Sequence, residues 1–466
     1  MQQTISTEQA WHYHIIPKTI DDDEFVFYAD EEKLISSYSD ELEMLFGLTI
    51  KMIPSSSVLV NKTLSKYYRI SHKNKRAETV NFGGGSSDDF VYKLITEADQ
   101  LGSSDIHIEK YEERCRVRLR IDGKLLEKYV IPNEDYAALI NKLKIKANLD
   151  IAEKRLPQDG RITFESSSAK FDIRVSLLPT LHGEKIVMRL LSKDATNIDI
   201  NELGFDEKQL KDYLEGIKKP NGIILISGPT GSGKTTSLYA TLKILNEEKS
   251  NIVTIEDPIE YTLEGINQVQ LRENIGFTFP KALRAFLRQD PDIIMLGEIR
   301  DEETAHMAVK ASLTGHLVLS TIHTNSAWGT ISRLIDMGVE PYLLANALSL
   351  SIAQRLVGVL CTNCKEKQVL KESMYPSNYK APEELQFHYV AEGCEQCYGT
   401  GYKGRKAVYE VIPIDLAFSE MIKNEKFDVR NELQEKGINL MKDNAFKLFK
   451  DGVTSLDEVY ALLMSN

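Results

Sequence analysis

The feature that most constrains the fold is a short apolar run followed by a glycine-rich loop. Residues Ile223 to Ile226 are aliphatic, and the segment GPTGSGKT at 228–235 matches the pattern G-x-x-x-x-G-K-[S/T]. A stretch of good helix formers follows the loop. Strand, loop and helix in this order form a phosphate-binding loop, because the glycines let backbone N–H groups approach phosphates at a helix N-terminus. The agreement of motif and context disfavours the alternative, a glycine-rich turn without function.

The predicted nucleotide contacts come from this loop and from the first turn of the helix. Lys234 is expected to reach the β- and γ-phosphates, and the Thr235 hydroxyl is expected to coordinate Mg²⁺. The residues predicted to bind nucleotide are Gly228, Pro229, Thr230, Gly231, Ser232, Gly233, Lys234, Thr235 and Thr236.

A second apolar strand ends in carboxylates. The segment NIVTIEDPIEY carries Glu256, Asp257 and Glu260 at and after the end of its apolar run. Carboxylates at the C-terminal end of a strand in a parallel sheet lie beside the nucleotide crevice. One of them can polarise the attacking water while another helps to hold the metal. The alternative is that they are solvated turn residues.

A third apolar run, Ile293 to Leu296, is followed by Gly297 and Glu298. In the usual form of this motif the strand ends in Asp and then Glu, and Gly297 stands at the Asp position. Glu298 is the candidate catalytic base, with Glu256 as the alternative. His316 and His323 flank the next apolar run and are predicted to sense the γ-phosphate, although a lone histidine is more often a core residue.

Four of the five cysteines form two C-x-x-C pairs separated by residues 365–393. This spacing predicts a structural zinc site of tetrahedral geometry with no position left open for water. A redox pair and incidental cysteines are the alternatives. The predicted zinc ligands are Cys361, Cys364, Cys394 and Cys397, while the isolated Cys115 is expected to fill the core.

Composition favours a cytoplasmic protein that does not bind nucleic acid. No run approaches the roughly 18 apolar residues of a membrane-spanning helix, and the first residues lack the pattern of a secretory signal. The net charge of −12 counts against nucleic acid as the main partner.

The length predicts several domains. Residues 1–72 alternate short apolar and polar pieces and are predicted to form a small α+β module, and the basic, then Gly/Ser-rich stretch at 73–88 reads as a flexible linker. Residues 89–193 suggest an α+β domain with a turn at Asp122-Gly123, and residues 199–466 suggest an α/β domain with a zinc subdomain at about 358–400.

Four motifs in one order resemble the Walker A, Asp-box, Walker B and His-box set of the secretion ATPase superfamily. They are GPTGSGKTT, TIEDPIEY, LRQDPDIIMLGEIRD and TGHLVLSTIHTN. Upstream, SDIHIE, RLRIDG, RLPQDGRI and LPTLHGEKIVMRLL resemble the type II secretion and type IV pilus assembly ATPases most closely. In that family a glycine before the Walker B glutamate is usual. The resemblance covers about residues 90–466, while residues 1–72 match the variable N-terminal domain only weakly.

The resemblance implies a hexameric ring in which each subunit has an N2 domain and a RecA-like motor domain. Its cofactors would be ATP, Mg²⁺ and Zn²⁺. Hydrolysis would act on an inner-membrane platform protein to drive pilus or pseudopilus assembly. An accessory membrane-anchored protein would be a further partner, and residues 1–72 would form a partner-docking module. The cytoplasmic ring would be peripheral to the inner membrane through these partners.

Two rival interpretations remain open, and a third, a DNA translocase, is disfavoured by the acidic balance. A retraction-type or type IV secretion ATPase is disfavoured by the cysteine quartet, and a non-hydrolysing nucleotide-binding scaffold by the near-complete motifs. The motifs do not separate a secretion system from a pilus.

Arginines recur at every second position from Arg114 to Arg120, so that one face of a strand carries guanidinium groups. The resemblance implies that arginines in this region reach nucleotide phosphates across domains or subunits, for which planar donors are suited. A solvated edge face is the alternative. The candidates are Arg118, Arg120, Arg161 and Arg174.

Overall fold

The computed structural model describes most of the chain in two compact units, Met1–Arg76 and Ala77–Asn466. The described residues are 5, 7–20, 24–35, 37–57, 59–60, 63–64, 78–79, 87–166, 170–191 and 199–464. Most of the predicted linker at 73–88, and the predicted domain end at 193, lie outside the described residues.

The first unit contains a small mixed sheet. The strands are β1 Ile15–Ile20, β2 Glu24–Asp30 and β3 Thr49–Ser55, and the helices are α1 Thr7–His12 and α2 Ser37–Phe46. In the described residues β2 pairs antiparallel with β1 and parallel with β3. Alternate residues of β2 are buried, so Phe25 and Phe27 form one apolar face with Leu42.

The second unit begins with a sheet that is covered by two helices. Its strands are β4 Glu78–Thr79, β5 Ser103–Lys110, β6 Cys115–Ile121, β7 Lys124–Ile131, β8 Gln158–Glu165, β9 Lys170–Thr180 and β10 Gly183–Leu191, and its helices are α3 Ser87–Gln100 and α4 Asn133–Lys146. The strand order over the described residues is β4-β7-β6-β5-β10-β9-β8. Residues 87–191 are here called the N2 domain.

Strand β6 explains how this sheet separates an apolar face from a charged one. Every second residue from Cys115 to Ile121 is buried, whereas the intervening arginines are only half-buried. The turn to β7 has positive φ at Asp122 (48°) and Gly123 (85°), as a tight two-residue hairpin requires. The predicted turn and the predicted burial of Cys115 are therefore confirmed.

Residues 199–464, described without a gap and here called the motor domain, form a mainly parallel sheet. Its strands are β11 Gly222–Ser227, β12 Ile252–Glu256, β13 Asn267–Gln270, β14 Ile293–Leu296, β15 Leu317–Ile322, β16 Leu348–Leu360 and β19 Tyr402–Pro413, in the order β13-β12-β14-β15-β11-β16-β19. Within this seven-stranded sheet only the pairing of β16 with β19 is antiparallel. A separate hairpin of β17 Lys365–Val369 and β18 Phe387–Ala391 lies between the cysteine pairs.

Helices cover both faces of the motor sheet, which is why β11, β14 and β15 are buried along their whole length. The helices are α5 Glu207–Ile217, α6 Lys234–Leu245, α7 Phe279–Phe286, α8 Glu302–Leu313, α9 Gly329–Asp336, α10 Pro341–Ala347, α11 Leu416–Lys423, α12 Arg430–Glu435, α13 Met441–Lys450 and α14 Leu456–Leu463. No helix within the described ranges is both long and apolar enough to cross a membrane.

Candidate nucleotide site and tetracysteine cluster

The phosphate-binding loop joins the carboxyl end of β11 to the first turn of α6. Gly233 has a φ of 88° and Gly228 a φ of 152°. A Cβ atom at Gly228 would lie 2.5 Å from the carbonyl oxygen of Gln354, and one at Gly233 would lie 2.8 Å from Gln354 Nε2. The loop therefore needs glycine at both positions, because β16 packs directly against it.

Lys234 and Ser232 both present polar atoms that fit a phosphate ligand. Lys234 Nζ donates hydrogen bonds to the carbonyl oxygens of Gly228 (2.8 Å) and Pro229 (3.0 Å). Burial lowers the pKa of Lys234, Glu298 raises it and Arg355 lowers it, with a net decrease. The buried Ser232 Oγ has no hydrogen-bond partner among the described residues. Thr235 and Thr236 follow in the first turn of α6, with Thr235 exposed.

Glu298 lies at the same edge of the sheet, two residues beyond the end of β14. One of its carboxylate oxygens accepts a hydrogen bond from Arg300, and the other lies 3.3 Å from His323 Nε2. Burial alone would raise the pKa of Glu298, but Arg300 and then His323 lower it overall. The carboxylate is therefore ionised at neutral pH, as a general base requires.

Glu256 is held differently from Glu298. It is buried at the end of β12, where one oxygen accepts hydrogen bonds from Thr254 Oγ1 (2.7 Å) and Gln268 Nε2 (3.1 Å). The other oxygen accepts a hydrogen bond from the hydroxyl of Tyr239. Because both oxygens are engaged inside the fold, the geometry suits Glu256 to holding β12, β13 and α6 together better than to proton transfer.

The other carboxylates of the predicted Asp box lie close to basic side chains. Asp257 Oδ2 is 3.9 Å from Arg300 Nη1. Glu260 pairs with Arg174 at 3.2 Å, and Arg174 Nη2 also donates a hydrogen bond to the carbonyl oxygen of Ile259 (2.7 Å). The structure thus brings Arg174 of β9 to the Asp-box loop.

The remaining candidate arginines are bound within the N2 domain. Arg118 donates two hydrogen bonds to Glu109 (2.8 and 2.9 Å), and Arg120 donates one to the carbonyl oxygen of Gly123 (2.8 Å). Arg161 donates to Asp172 at 2.6 Å. Burial would raise the pKa of Glu109, but hydrogen bonds from Arg118, Lys185 and Arg116 lower it to about 2. A phosphate contact by these arginines stays a prediction. It requires each arginine to release the hydrogen-bond partner that it has in this structure.

A nucleotide contact by His316 stays a prediction, and the structure places this histidine away from the phosphate loop of its own subunit. The backbone N–H of Gly222 donates to the His316 carbonyl oxygen, which places His316 at the amino end of β15 and β11. His316 Nδ1 lies 2.9 Å from the carbonyl oxygen of Ala311. The length of β11 separates this position from the phosphate loop by about 17 Å. Residues that flank a strand lie at opposite sheet edges, so only His323 reaches Glu298.

The four paired cysteines converge on one point. Their sulfur atoms all lie within 4.8 Å of one another, with Cys361 to Cys394 at 3.8 Å, Cys364 to Cys397 at 3.7 Å and Cys394 to Cys397 at 3.6 Å. Zn–S bonds of about 2.3 Å in a tetrahedron separate the sulfur atoms by about 3.8 Å. Donor set and spacing therefore fit a four-coordinate zinc site.

The family follows from comparison of the whole sequence. Residues 84–461 match the model of the family described as type II/IV secretion system protein. The chain belongs to this family. It is 42% identical over 450 residues to the type IV pilus assembly ATPase PilB of Myxococcus xanthus, a match that covers 90% of this chain and 79% of that protein.

Type II secretion proteins are similar to this chain as well as pilus assembly ATPases. The chain is 47% identical to type II secretion system protein E of Pseudomonas aeruginosa and 46% identical to type II secretion system ATPase E of Vibrio cholerae, and each match covers 79% of this chain and 74% of the relative. The predicted resemblance is therefore confirmed.

Solved structures confirm the predicted RecA-like α/β fold class of this family member. The pilus retraction motor PilT with bound ADP aligns with a TM-score of 0.55 and 27% identity, covering 80% of this chain and 96% of that one. The ATPase DotB of Legionella pneumophila aligns with a TM-score of 0.61 at 21% identity, covering 83% and 99% of the two chains. At that identity the second match speaks for the fold alone.

Arg355 is a residue of this secretion-system protein that the sequence did not single out. Its guanidinium donates hydrogen bonds to the carbonyl oxygens of Gln354 (2.9 Å) and Asn325 (3.1 Å). Its Nη1 would lie 3.0 Å from a Cβ atom on Gly228. Arg355 thus joins the phosphate loop to the segment after His323. The sequence shows an arginine within the apolar run of β16, but its position beside the phosphate loop depends on the pairing of β16 with β11.

Proposed function

We propose that this chain is an ATP hydrolase that powers assembly of a pilus or pseudopilus from the cytoplasmic side of the inner membrane. The observation that carries the proposal is the meeting, at one edge of the motor sheet, of the phosphate loop with Lys234 and the ionised Glu298 beside His323. The names of the PilB and protein E relatives support the biological setting.

Each residue of the site has a separate proposed role in hydrolysis. Loop N–H groups and Lys234 bind the phosphates and stabilise the charge that develops during transfer. Glu298 accepts the proton of the attacking water, and His323 orients Glu298 and senses the γ-phosphate. Thr235 would hold Mg²⁺, which would supply neutralisation of the phosphate charge. Glu256 fixes the strand ends around this centre.

Steady-state phosphate release by the purified full chain tests the proposal. We expect Mg²⁺-dependent hydrolysis of ATP that double-stranded DNA does not stimulate, because the net charge is −12. Tight nucleotide binding without any phosphate release would favour the non-hydrolysing scaffold instead. Stimulation by DNA would favour a translocase.

The active form is proposed to be a homohexameric ring. Its proposed partners are an inner-membrane platform protein and an accessory membrane-anchored protein, through which the ring lies peripheral to the membrane. The family resemblance supports this arrangement, and an arginine partner from a neighbouring subunit would complete the site. Sedimentation of the chain with nucleotide tests it, since a strictly monomeric active species would contradict the ring.

Zinc is expected at one ion per chain. The proposal rests on the sulfur spacing of Cys361, Cys364, Cys394 and Cys397. Metal analysis of protein purified under reducing conditions should give a ratio near one zinc per chain, and the Cys397→Ser variant should lose it. Cys115→Ser is the matched control and should keep its zinc, because Cys115 lies in the N2 core. Zinc-free wild-type protein would contradict the proposal.

A further inference from the structure

The tip of the β6–β7 hairpin in the N2 domain contacts the motor domain close to the tetracysteine cluster. The backbone N–H of Gly404 donates a hydrogen bond to Asp122 Oδ2 at 2.7 Å. Lys124 Nζ lies 3.1 Å from Glu458 Oε1 and 3.2 Å from the centroid of the Tyr402 ring. A negative side chain and a positive one on one tight turn therefore each find a complementary group on the same small surface.

This receiving surface, which we call the dock, consists of Tyr402, Gly404 and Glu458. The segment that leads into it is bonded to two of the cysteines: the N–H of Gly401 donates to Cys397 Sγ (3.2 Å), and the N–H of Cys361 donates to the carbonyl oxygen of Gly401 (2.9 Å). The cysteine cluster and the dock are thus one continuous hydrogen-bonded unit.

The remaining parts of the dock are also held from the motor side. The hydroxyl of Tyr402 lies 2.6 Å from Ser455 Oγ. The second carboxylate oxygen of Glu458 accepts the N–H of Gly358 at 2.7 Å, just before the first cysteine pair. Both partners of Lys124 are therefore held in place, Tyr402 by the residue before α14 and Glu458 by the segment that enters the cysteine cluster.

The arginines lie along the first strand of the same hairpin. Strand β6 presents Arg116, Arg118 and Arg120 on its charged face and pairs with β7 along its length. Strand β6 lies inside the N2 sheet, paired with β5 on one side and β7 on the other, so fixing the hairpin tip restrains the arginines together with this sheet relative to the motor domain. One ion pair, one cation–π contact and one hydrogen bond form a contact that can open and close.

We propose that the tetracysteine unit is a metal-dependent dock for the hairpin tip Asp122–Lys124. In this arrangement zinc orders Gly401 and Tyr402, the dock captures Asp122 and Lys124, and the arginine strand is restrained relative to the motor domain. The metal dependence rests on the zinc occupancy proposed above, whereas the docking contact itself rests only on the contacts of these residues.

Hydrogen exchange of the full chain, followed by mass spectrometry at one oligomeric state, tests the dock. Lys124→Met keeps an apolar stem but removes the charge, and Lys128→Met is the matched control. The two lysines lie on the same strand with side chains 35% and 37% exposed, but Lys128 pairs with Glu97 inside the N2 domain. Exchange across residues 115–131 should rise several-fold in Lys124→Met and stay within twofold of wild type in Lys128→Met.

Removal of zinc provides the second arm. Chelation under reducing conditions, with metal content measured on the same samples, should raise exchange across 115–131 in the wild type. It should add little in Lys124→Met, because the contact is already lost there. Equal exchange in the two methionine variants would overturn the dock, and loss of zinc without a change across 115–131 would overturn its metal dependence. Neither result depends on hydrolysis, so ATPase activity measured separately tests the proposed function.

Discussion

Replacement of Lys234 with alanine is expected to lower kcat for ATP hydrolysis by about 1,000-fold or more. In the structure Lys234 Nζ is held at 2.8 and 3.0 Å by two carbonyl oxygens of its own loop, so its charge is available to phosphate oxygens without breaking an ion pair. Removal of the ammonium takes away one of the cations expected to stabilise the negative charge that develops on the transferring phosphate. Phosphate release under saturating ATP measures the effect.

A loss of folding must be distinguished from a loss of catalysis in the Lys234→Ala variant. Thermal unfolding should change little, because Lys234 makes only loop hydrogen bonds. Lys249→Ala is the control for removal of a lysine: its side chain is 81% exposed and pairs locally with Glu247, so hydrolysis should remain at the wild-type rate. Hydrolysis by Lys234→Ala within threefold of wild type would refute the assignment of the nucleotide site.

Local sequence patterns predicted the parts of the site that lie along one stretch of chain. Strand β11, the loop at 228–233 and helix α6 follow each other directly, so the strand-loop-helix pattern contained their whole arrangement. The four cysteines were also predictable as metal ligands, because two C-x-x-C pairs at this spacing are typical of zinc sites. The sulfur spacing agrees with that interpretation.

Direction along a strand and pairing between distant strands were harder to infer. His316 and His323 both flank β15, but only the carboxyl end of a parallel strand meets the phosphate loop, so the two histidines lie at opposite edges of the sheet and His323 is the one beside Glu298. Arg355 gains its position because β16 pairs with β11, which is remote in sequence. The alternation of arginines in β6 was visible, whereas their binding to Glu109 and Asp105 depends on the neighbouring strand β5.

Glutamine in place of Glu298 and glutamine in place of Glu256 are expected to fail in different ways. Glu298→Gln removes the ionised oxygen beside His323, so kcat should fall by about 100- to 10,000-fold while ADP binding persists. The lowered pKa of Glu298 means that this base stays ionised as pH falls from 7 until below the usual range of a glutamate. Acid inactivation near pH 6 would therefore come from another group.

Glu256→Gln should instead destabilise the motor domain. Its carboxylate accepts hydrogen bonds from Tyr239, Thr254 and Gln268 while buried, and an amide NH₂ would face one of those donors, at a cost of about 1–3 kcal/mol. We expect a clearly lower melting temperature for Glu256→Gln and only a small decrease for Glu298→Gln, whose partners Arg300 and His323 are exposed, measured alongside kcat and ADP affinity. A catalytic loss in Glu256→Gln as deep as that of Glu298→Gln, at wild-type stability, would transfer the role of base to Glu256.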